Sequence, residues 1–288
     1  MKKFENIVLA TDLDGTFLTK DPDGRRRNLE AIQYFKENGG HFTFATGRYY
    51  NAVFGGSYFD TATLLNLPAV TGNGSCLYDY AAQSAIEQTP TPFEFVRELY
   101  FEMKRLAPTA GLRAITDDGV IYTELSNLMM EADFAWLSPK RPSYLVPIDE
   151  WCNYGLYKLA LRDELSVVND LKPKLAERFR GRLEVSQSDD TLIDVQAFGV
   201  TKAKGLRRLC ELCFDAPVTL CVVGDYYNDL EMMRAADLAF CPENAVDEVK
   251  AICQKTLCHH DQGVIADVVE WLDRDAGDAC YFSFWKEK

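Results

Sequence analysis

An apolar run, Ile7-Val8-Leu9-Ala10, ends abruptly in Thr11-Asp12-Leu13-Asp14-Gly15-Thr16. A short apolar, partly β-branched run of this kind is expected to form a buried parallel strand. Side chains two apart on an extended segment point the same way, so Asp12 and Asp14 are predicted to share one face at the C-terminal end of the strand. That is where open α/β sheets place their ligands. Two neighbouring acids repel unless a cation lies between them or one is protonated. The pair therefore suggests a magnesium site, a carboxylate nucleophile, or both.

The following residues repeat the alternation. Asn28 is placed to cap a helix carrying Leu29, Ile32 and Phe35, closed by Gly39-Gly40. His41 to Ala45 reads as a strand ending in Thr46-Gly47-Arg48, and Pro68 to Thr71 as a strand leading to Gly72-Asn73-Gly74. This β-α-β-α-β order predicts a doubly wound parallel sheet. His41, inside an apolar strand, reads as structural.

Thr89-Pro90-Thr91-Pro92 marks a linker, after which the pattern changes. Helices are predicted over 93–106, 127–136 and 165–179. A strand pair is predicted over 113–123, turning at Asp117-Asp118-Gly119, with further strands over 157–162 and 183–188. Residues 84–190 are thus expected to form an inserted α+β domain, with 1–83 and 191–288 forming the α/β core. In the second part of the core, a helix is predicted over 202–213 and an apolar strand over 218–223, ending in Gly224-Asp225. Further helices are predicted over 229–236, 246–253 and 264–272, with a strand at 238–240.

Forty-four acidic against 31 basic residues give a formal charge of −13, which disfavours nucleic acid and anionic membrane as partners. No apolar stretch approaches the roughly 20 residues needed to span a bilayer. The N-terminal residues lack the apolar core of a signal peptide. A cytoplasmic protein, monomeric or homodimeric, is expected. The nine cysteines follow no framework spacing and read as reduced thiols. Cys210 and Cys213 form a C-x-x-C inside a predicted helix, without a thioredoxin-like context. Cys253, Cys258, His259 and His260 match no standard zinc spacing. The aromatic C-terminal residues, Tyr281 to Trp285, are assigned either to the core or to another subunit.

Four polar segments sit at element ends: Asp12/Asp14, Thr46-Gly47-Arg48, Lys202, and Gly224-Asp225-Tyr226-Tyr227-Asn228-Asp229. Together they hold the groups that phosphoryl transfer requires: a nucleophile, a proton donor, hydroxyl and amide donors, a fixed cation, and carboxylates for a metal. At these residues the chain resembles the haloacid dehalogenase superfamily, in its Cof-like branch with a type IIB cap. DLDGT, ATGR, GVTKAKGL and VVGDYYNDLEMM occur in the family's order. Pro242-Glu243-Asn244-Ala245 and Asp261-Gln262-Gly263-Val264 are similar to its C-terminal segments.

The resemblance implies a HAD-type phosphatase acting on a small phosphorylated metabolite, a sugar phosphate foremost, with pyridoxal phosphate and nucleotides behind. It implies Asp12 as nucleophile, forming an aspartyl-phosphate, and Asp14 as acid and base. Mg²⁺ would be held by Asp12, the Asp14 carbonyl and Asp225, with Asp229 supporting. Phosphate would be bound by Asp12, Thr46, Gly47, Arg48, Lys202, Asn73 and Asn228, and residues 84–190 would act as a lid. Plainer roles stand beside these. Thr46 and Asp229 suit helix N-caps, Asn228 a turn, Arg48 a solvated helix face, and Tyr226 and Tyr227 a border to the site. Ala203 replaces the glycine of the family pattern, which leaves Lys204 as an alternative to Lys202. A phosphomutase or a non-catalytic binding protein on the same fold are the competing functions. Loss of Asp12, Asp14 or Asp225 would mark the non-catalytic case, and all three are present.

Overall fold

The computed structural model describes residues 2–53, 58–137 and 142–274, so the aromatic C-terminal segment lies outside the described residues. The chain divides into two compact units, one formed by 1–47, 54–86 and 201–288, the other by 48–53 and 87–200.

The first unit is built on a parallel sheet in the order Lys255–Thr256, Leu238–Cys241, Thr219–Val223, Ile7–Thr11, His41–Phe44. Ala69–Thr71 joins it through one parallel bridge between Ala45 and Val70. Ile7–Thr11 lies inside the sheet, and the chain winds outward from it in both directions, as the doubly wound expectation requires. The strands are apolar because both faces are covered. Val8, Ala10, Leu220 and Val222 pack on one side with Leu206 and Leu209 of the helix Lys202–Cys213 and Met232 of the helix Leu230–Ala235. Phe17 meets Phe42 and Phe44, at centroid distances of 6.3 Å and 5.2 Å. His41 stacks edge-on against Phe214, and burial lowers its pKa, which suits a structural residue.

The helix predicted from Asn28 begins earlier and runs Pro22–Glu37. Asp21 is its N-cap, accepting from Asp23 N, and Pro22 supplies a ring pre-set for the first turn. Asn28 instead lies buried in mid-helix and caps a different helix. Its Oδ1 accepts from Ile265 N and Ala266 N at the start of Val264–Arg274. The helix predicted over 246–253 shortens to Asp247–Lys250. Strands Cys76–Asp79, antiparallel to Ala69–Thr71, and Ser84–Gln88, its other neighbour in the sheet, were not foreseen from the sequence. Among the described residues no helix is long and apolar enough to cross a membrane.

The second unit has a six-stranded sheet ordered Leu183–Asp189, Leu192–Ala197, Lys158–Arg162, Gly111–Ile115, Val120–Tyr122, Ser143–Leu145. All neighbours are antiparallel except the last pair. Leu112, Ala114, Leu159, Leu161, Ile193 and Val195 alternate onto the face that packs against the helices Phe93–Leu106 and Leu165–Arg178. Of the positions between them, Arg113 and Asp194 are polar and Ala160 is apolar, and Lys158 pairs with buried Asp194 at 2.8 Å.

The expected domain boundaries shift. Leu192–Ala197 is a strand of this second sheet, hydrogen-bonded on both sides, so the unit continues to Val200 rather than ending at 190, and it begins at Glu87 rather than 84. Residues 48–53 also belong to it. The Asp117 carboxylate, in the hairpin turn, accepts from the Tyr49, Tyr50 and Tyr157 hydroxyls and from Gln88 Nε2.

Candidate active site

Asp12 and Asp14 do not lie on a strand. The strand stops at Thr11, and the Asp12 amide continues its pairing to the Val223 carbonyl at 2.9 Å. A single tight turn, Leu13–Phe17, follows. It separates the two acids by environment: Asp12 is buried and Asp14 is exposed. The turn needs Gly15, whose φ is +74° and whose position would set a Cβ 2.4 Å from Asp225 Oδ2. Thr16, next in line, donates its hydroxyl to Asp225 Oδ1 at 2.6 Å.

The loop after Thr219–Val223 supplies the opposite wall. Gly224 packs so closely on Asp229 that a Cβ would fall 2.6 Å from its side chain. Asp229 is the formal N-cap of Leu230–Ala235 but makes no side-chain cap bond to that helix. Its Oδ2 turns back to accept from Asp225 N at 2.9 Å and Tyr226 N at 3.1 Å. Val246 N donates to the Asp225 carbonyl, and Asn244 Nδ2 to the Gly15 carbonyl.

Lys202 begins the helix Lys202–Cys213, capped by Thr201. Gly74, at φ +103°, lets the preceding turn approach until a Cβ there would lie 2.3 Å from the Thr201 carbonyl. Thus placed, Lys202 is buried, and its Nζ lies 2.7 Å from Asp12 Oδ1 and 2.6 Å from Asp229 Oδ1. Lys204 is exposed. Of the two lysines that the sequence left open, the fold brings Lys202 to the acids.

Oxygens of Asp12, Asp225 and Asp229 lie within 4.8 Å of one another, all three residues buried. Within that cluster one ammonium, Lys202, faces three carboxyl groups. Burial, with the neighbouring acids Asp229 and Asp14, raises the Asp12 pKa to about 7 against the pull of Lys202. Burial and the charges of Asp12 and Asp229 raise Asp225 to about 8, opposed by the Thr16 hydroxyl and Lys202. For Lys202, burial favours the neutral form, but Asp12 and Asp229 outweigh it and its pKa is raised. An oxygen-only cluster with excess negative charge fits a hard divalent cation such as Mg²⁺.

The other predicted residues form a hydrogen-bonded chain. Asn228 Nδ2 donates to Asn73 Oδ1 at 3.3 Å, Asn73 N to the Thr46 carbonyl at 2.9 Å, and Thr46 N to the Val70 carbonyl at 2.9 Å. Asn73 holds a left-handed φ of 55°. The next described element after Thr46 is the 3₁₀ turn Tyr50–Ala52, whose N-cap position is Tyr49. Gly47 ends this stretch of the first unit, and Arg48 belongs to the second, where its Nη1 donates to the Ala52 carbonyl. Thr16, Gly15, Gly224 and Asn244 received no individual role from the sequence. The signal for the first two was present in DLDGT.

His259, His260 and Asp261 also lie together. Their atoms are engaged in holding loops: His260 Nδ1 bonds the Leu18 carbonyl, His259 Nδ1 accepts from Asp261 N, and Asp261 Oδ1 accepts from Thr19 and Lys20 N.

The family model of haloacid dehalogenase-like hydrolases matches residues 9–269. The pyridoxal phosphate phosphatase YbhA of Escherichia coli is 29% identical over 253 residues, covering 85% of this chain and 90% of its own. A HAD/COF-like hydrolase of Plasmodium vivax superposes with a TM-score of 0.77 at 23% identity, covering 93% of this chain and 95% of its own. The HAD subclass IIB sugar phosphatase BT4131 superposes with a TM-score of 0.78 at 19% identity, covering 92% and 98%. These two structures share the fold. With its two oppositely placed loops of acids and its interposed lysine, the chain belongs to the haloacid dehalogenase-like hydrolases, in the Cof-like phosphatase branch.

Proposed function

We propose that this enzyme is a Mg²⁺-dependent phosphatase that hydrolyses a small phosphorylated metabolite, a sugar phosphate foremost, through an aspartyl-phosphate on Asp12. The observation that carries this reading is the Lys202 ammonium bridging Asp12 and Asp229 inside a buried three-carboxylate cluster. Lys202 holds Asp12 by one oxygen and so aims the other at phosphorus. Exposed Asp14, one turn away, protonates the departing oxygen and then takes a proton from the water that opens the acyl-phosphate. Thr46, the Gly47 amide and Lys202 receive phosphoryl oxygens, with Arg48, Asn73 and Asn228 as further polar groups around them.

Asp12, the Asp14 carbonyl and Asp225 would hold Mg²⁺, with Asp229 bracing Asp225 through its amide. When bound, the ion supplies positive charge against the phosphoryl oxygens. A phosphomutase would use the same Asp14, but the similarity to curated phosphatases favours hydrolysis. YbhA makes pyridoxal phosphate the second substrate to test. The inserted domain is proposed to rank substrates by their leaving groups.

The test is a panel of sugar phosphates, pyridoxal phosphate and nucleotides assayed with Mg²⁺, using Asp12→Asn as the blank. Turnover by the wild type that falls to background in Asp12→Asn supports the mechanism. Retained activity in Asp12→Asn overturns the covalent route, and an inactive wild type across the panel favours the binding-protein alternative.

A further inference from the structure

Cys241 and Cys253 have no part in the phosphatase reading, yet their sulfurs lie 3.1 Å apart. Cys241 ends the strand Leu238–Cys241 and is buried; Cys253 sits on the turn before Lys255–Thr256 and is half-buried. The backbone fixes the two side by side. Gln254 N donates to the Ala239 carbonyl at 2.8 Å, and Leu257 N to the Cys241 carbonyl at 2.9 Å, bracketing the pair within the parallel register. The Thr256 hydroxyl lies 3.5 Å from one sulfur and 3.9 Å from the other.

We propose that Cys241 and Cys253 form an oxidation site that closes to an intramolecular disulfide under a peroxide. Cys253, the more exposed sulfur, is attacked first: its thiol and hydrogen peroxide give a sulfenic acid and water. The Cys241 sulfur then displaces the sulfenic hydroxyl, which leaves as a second water with the Cys241 proton, and the S–S bond forms. One peroxide is reduced and two thiols are oxidised. Burial first, and the neighbouring Cys253 after it, raise the Cys241 thiol to about 12, which disfavours Cys241 for the first attack, and its 3.1 Å contact with the Cys253 sulfur is what lets it resolve the sulfenic acid.

The loop closed by the bond carries Asn244, which holds the Gly15 carbonyl, and Val246, which holds the Asp225 carbonyl. Because the sulfurs are already in contact, the bond fastens this loop in its present place.

Tryptic cleavage at Arg234, Lys250 and Lys255 puts the two cysteines on separate single-cysteine peptides, 235–250 and 251–255. The full chain is treated with one equivalent of hydrogen peroxide, alkylated and mapped by mass spectrometry. The expected product is these two peptides joined and two hydrogens lighter, restored to separate peptides by a phosphine reductant. In Cys241→Ala the sulfenic acid persists on Cys253 and is trapped by dimedone. The wild type gains Tm on oxidation and Cys253→Ser does not. Full alkylation of both cysteines after other thiols have been consumed, or a disulfide from Cys253 to another cysteine, overturns the site. A joined pair that lowers Tm overturns the claim that the loop is fastened in place.

Discussion

The Thr16 hydroxyl donates to Asp225 Oδ1 at 2.6 Å, joining loops 209 positions apart in sequence. Both residues are buried. The bond aligns one carboxylate of the acidic cluster from the turn that also carries Asp12. Thr16→Val keeps the shape and removes the donor. Above about pH 8, where Asp225 is charged, it is expected to cost about 1.5–3 kcal/mol, the usual worth of a hydrogen bond to a charged group. Denaturant unfolding measures that cost, and a Mg²⁺ titration of activity should show weaker activation.

Metal-free protein should lose stability as pH rises from about 4 to about 8. Asp12 and Asp225 are raised to about 7 and about 8, chiefly by burial, from an ordinary value of 3.8. Across that window the folded state binds more protons than the unfolded chain, so the slope of stability with pH is negative. It levels off above the folded values, once both states have lost these protons. Lys202, its pKa raised by Asp12 and Asp229, remains charged throughout. Added Mg²⁺ should therefore raise Tm more at the alkaline end than at the acid end. Melts across this range with EDTA or with Mg²⁺ check it; a metal-free Tm that rises with pH contradicts the arrangement.

Gly15→Ala meets two penalties. The φ of +74° disfavours any side chain, and the new methyl would begin 2.4 Å from Asp225 Oδ2. A loss of about 1–3 kcal/mol is expected from the forced shift, on top of the backbone strain. Activity should fall further than stability does, because the atom displaced belongs to the cluster. Comparing kcat/KM with the unfolding midpoint separates the two effects.

Asn28→Ala removes the acceptor that serves Ile265 N and Ala266 N. The Ile265 amide, at the start of the helix Val264–Arg274, then loses this acceptor in a buried place, costing about 1–3 kcal/mol, while Ala266 N keeps the Gly263 carbonyl at 3.0 Å. Catalysis should be unchanged at temperatures where the protein stays folded. Amide exchange at Ile265 should quicken ahead of the rest of the helix.

The local periodicities of the sequence determined most elements, and its motifs supplied the residues proposed for the site. The apolar strand leading to Asp12, the helix over 202–213 and the order of the four polar segments were legible because strand and helix repeats and motif spacings are properties of neighbouring residues. Tertiary structure decided what depends on distant partners. Two acids one residue apart became one buried and one exposed, because a turn made by Gly15 against Asp225 rotates Asp14 outward. Leu192–Ala197 went to the second unit because its hydrogen-bond partners, Leu183–Asp189 and Lys158–Arg162, lie there. Asn28, read as the cap of its own helix, caps one that begins more than 230 residues later. Lys202 was separated from Lys204 only by the helix start that buries the first among Asp12 and Asp229 and leaves the second in solvent. A side chain's type and spacing follow from the sequence; its burial and its partner follow from which remote segment folds against it.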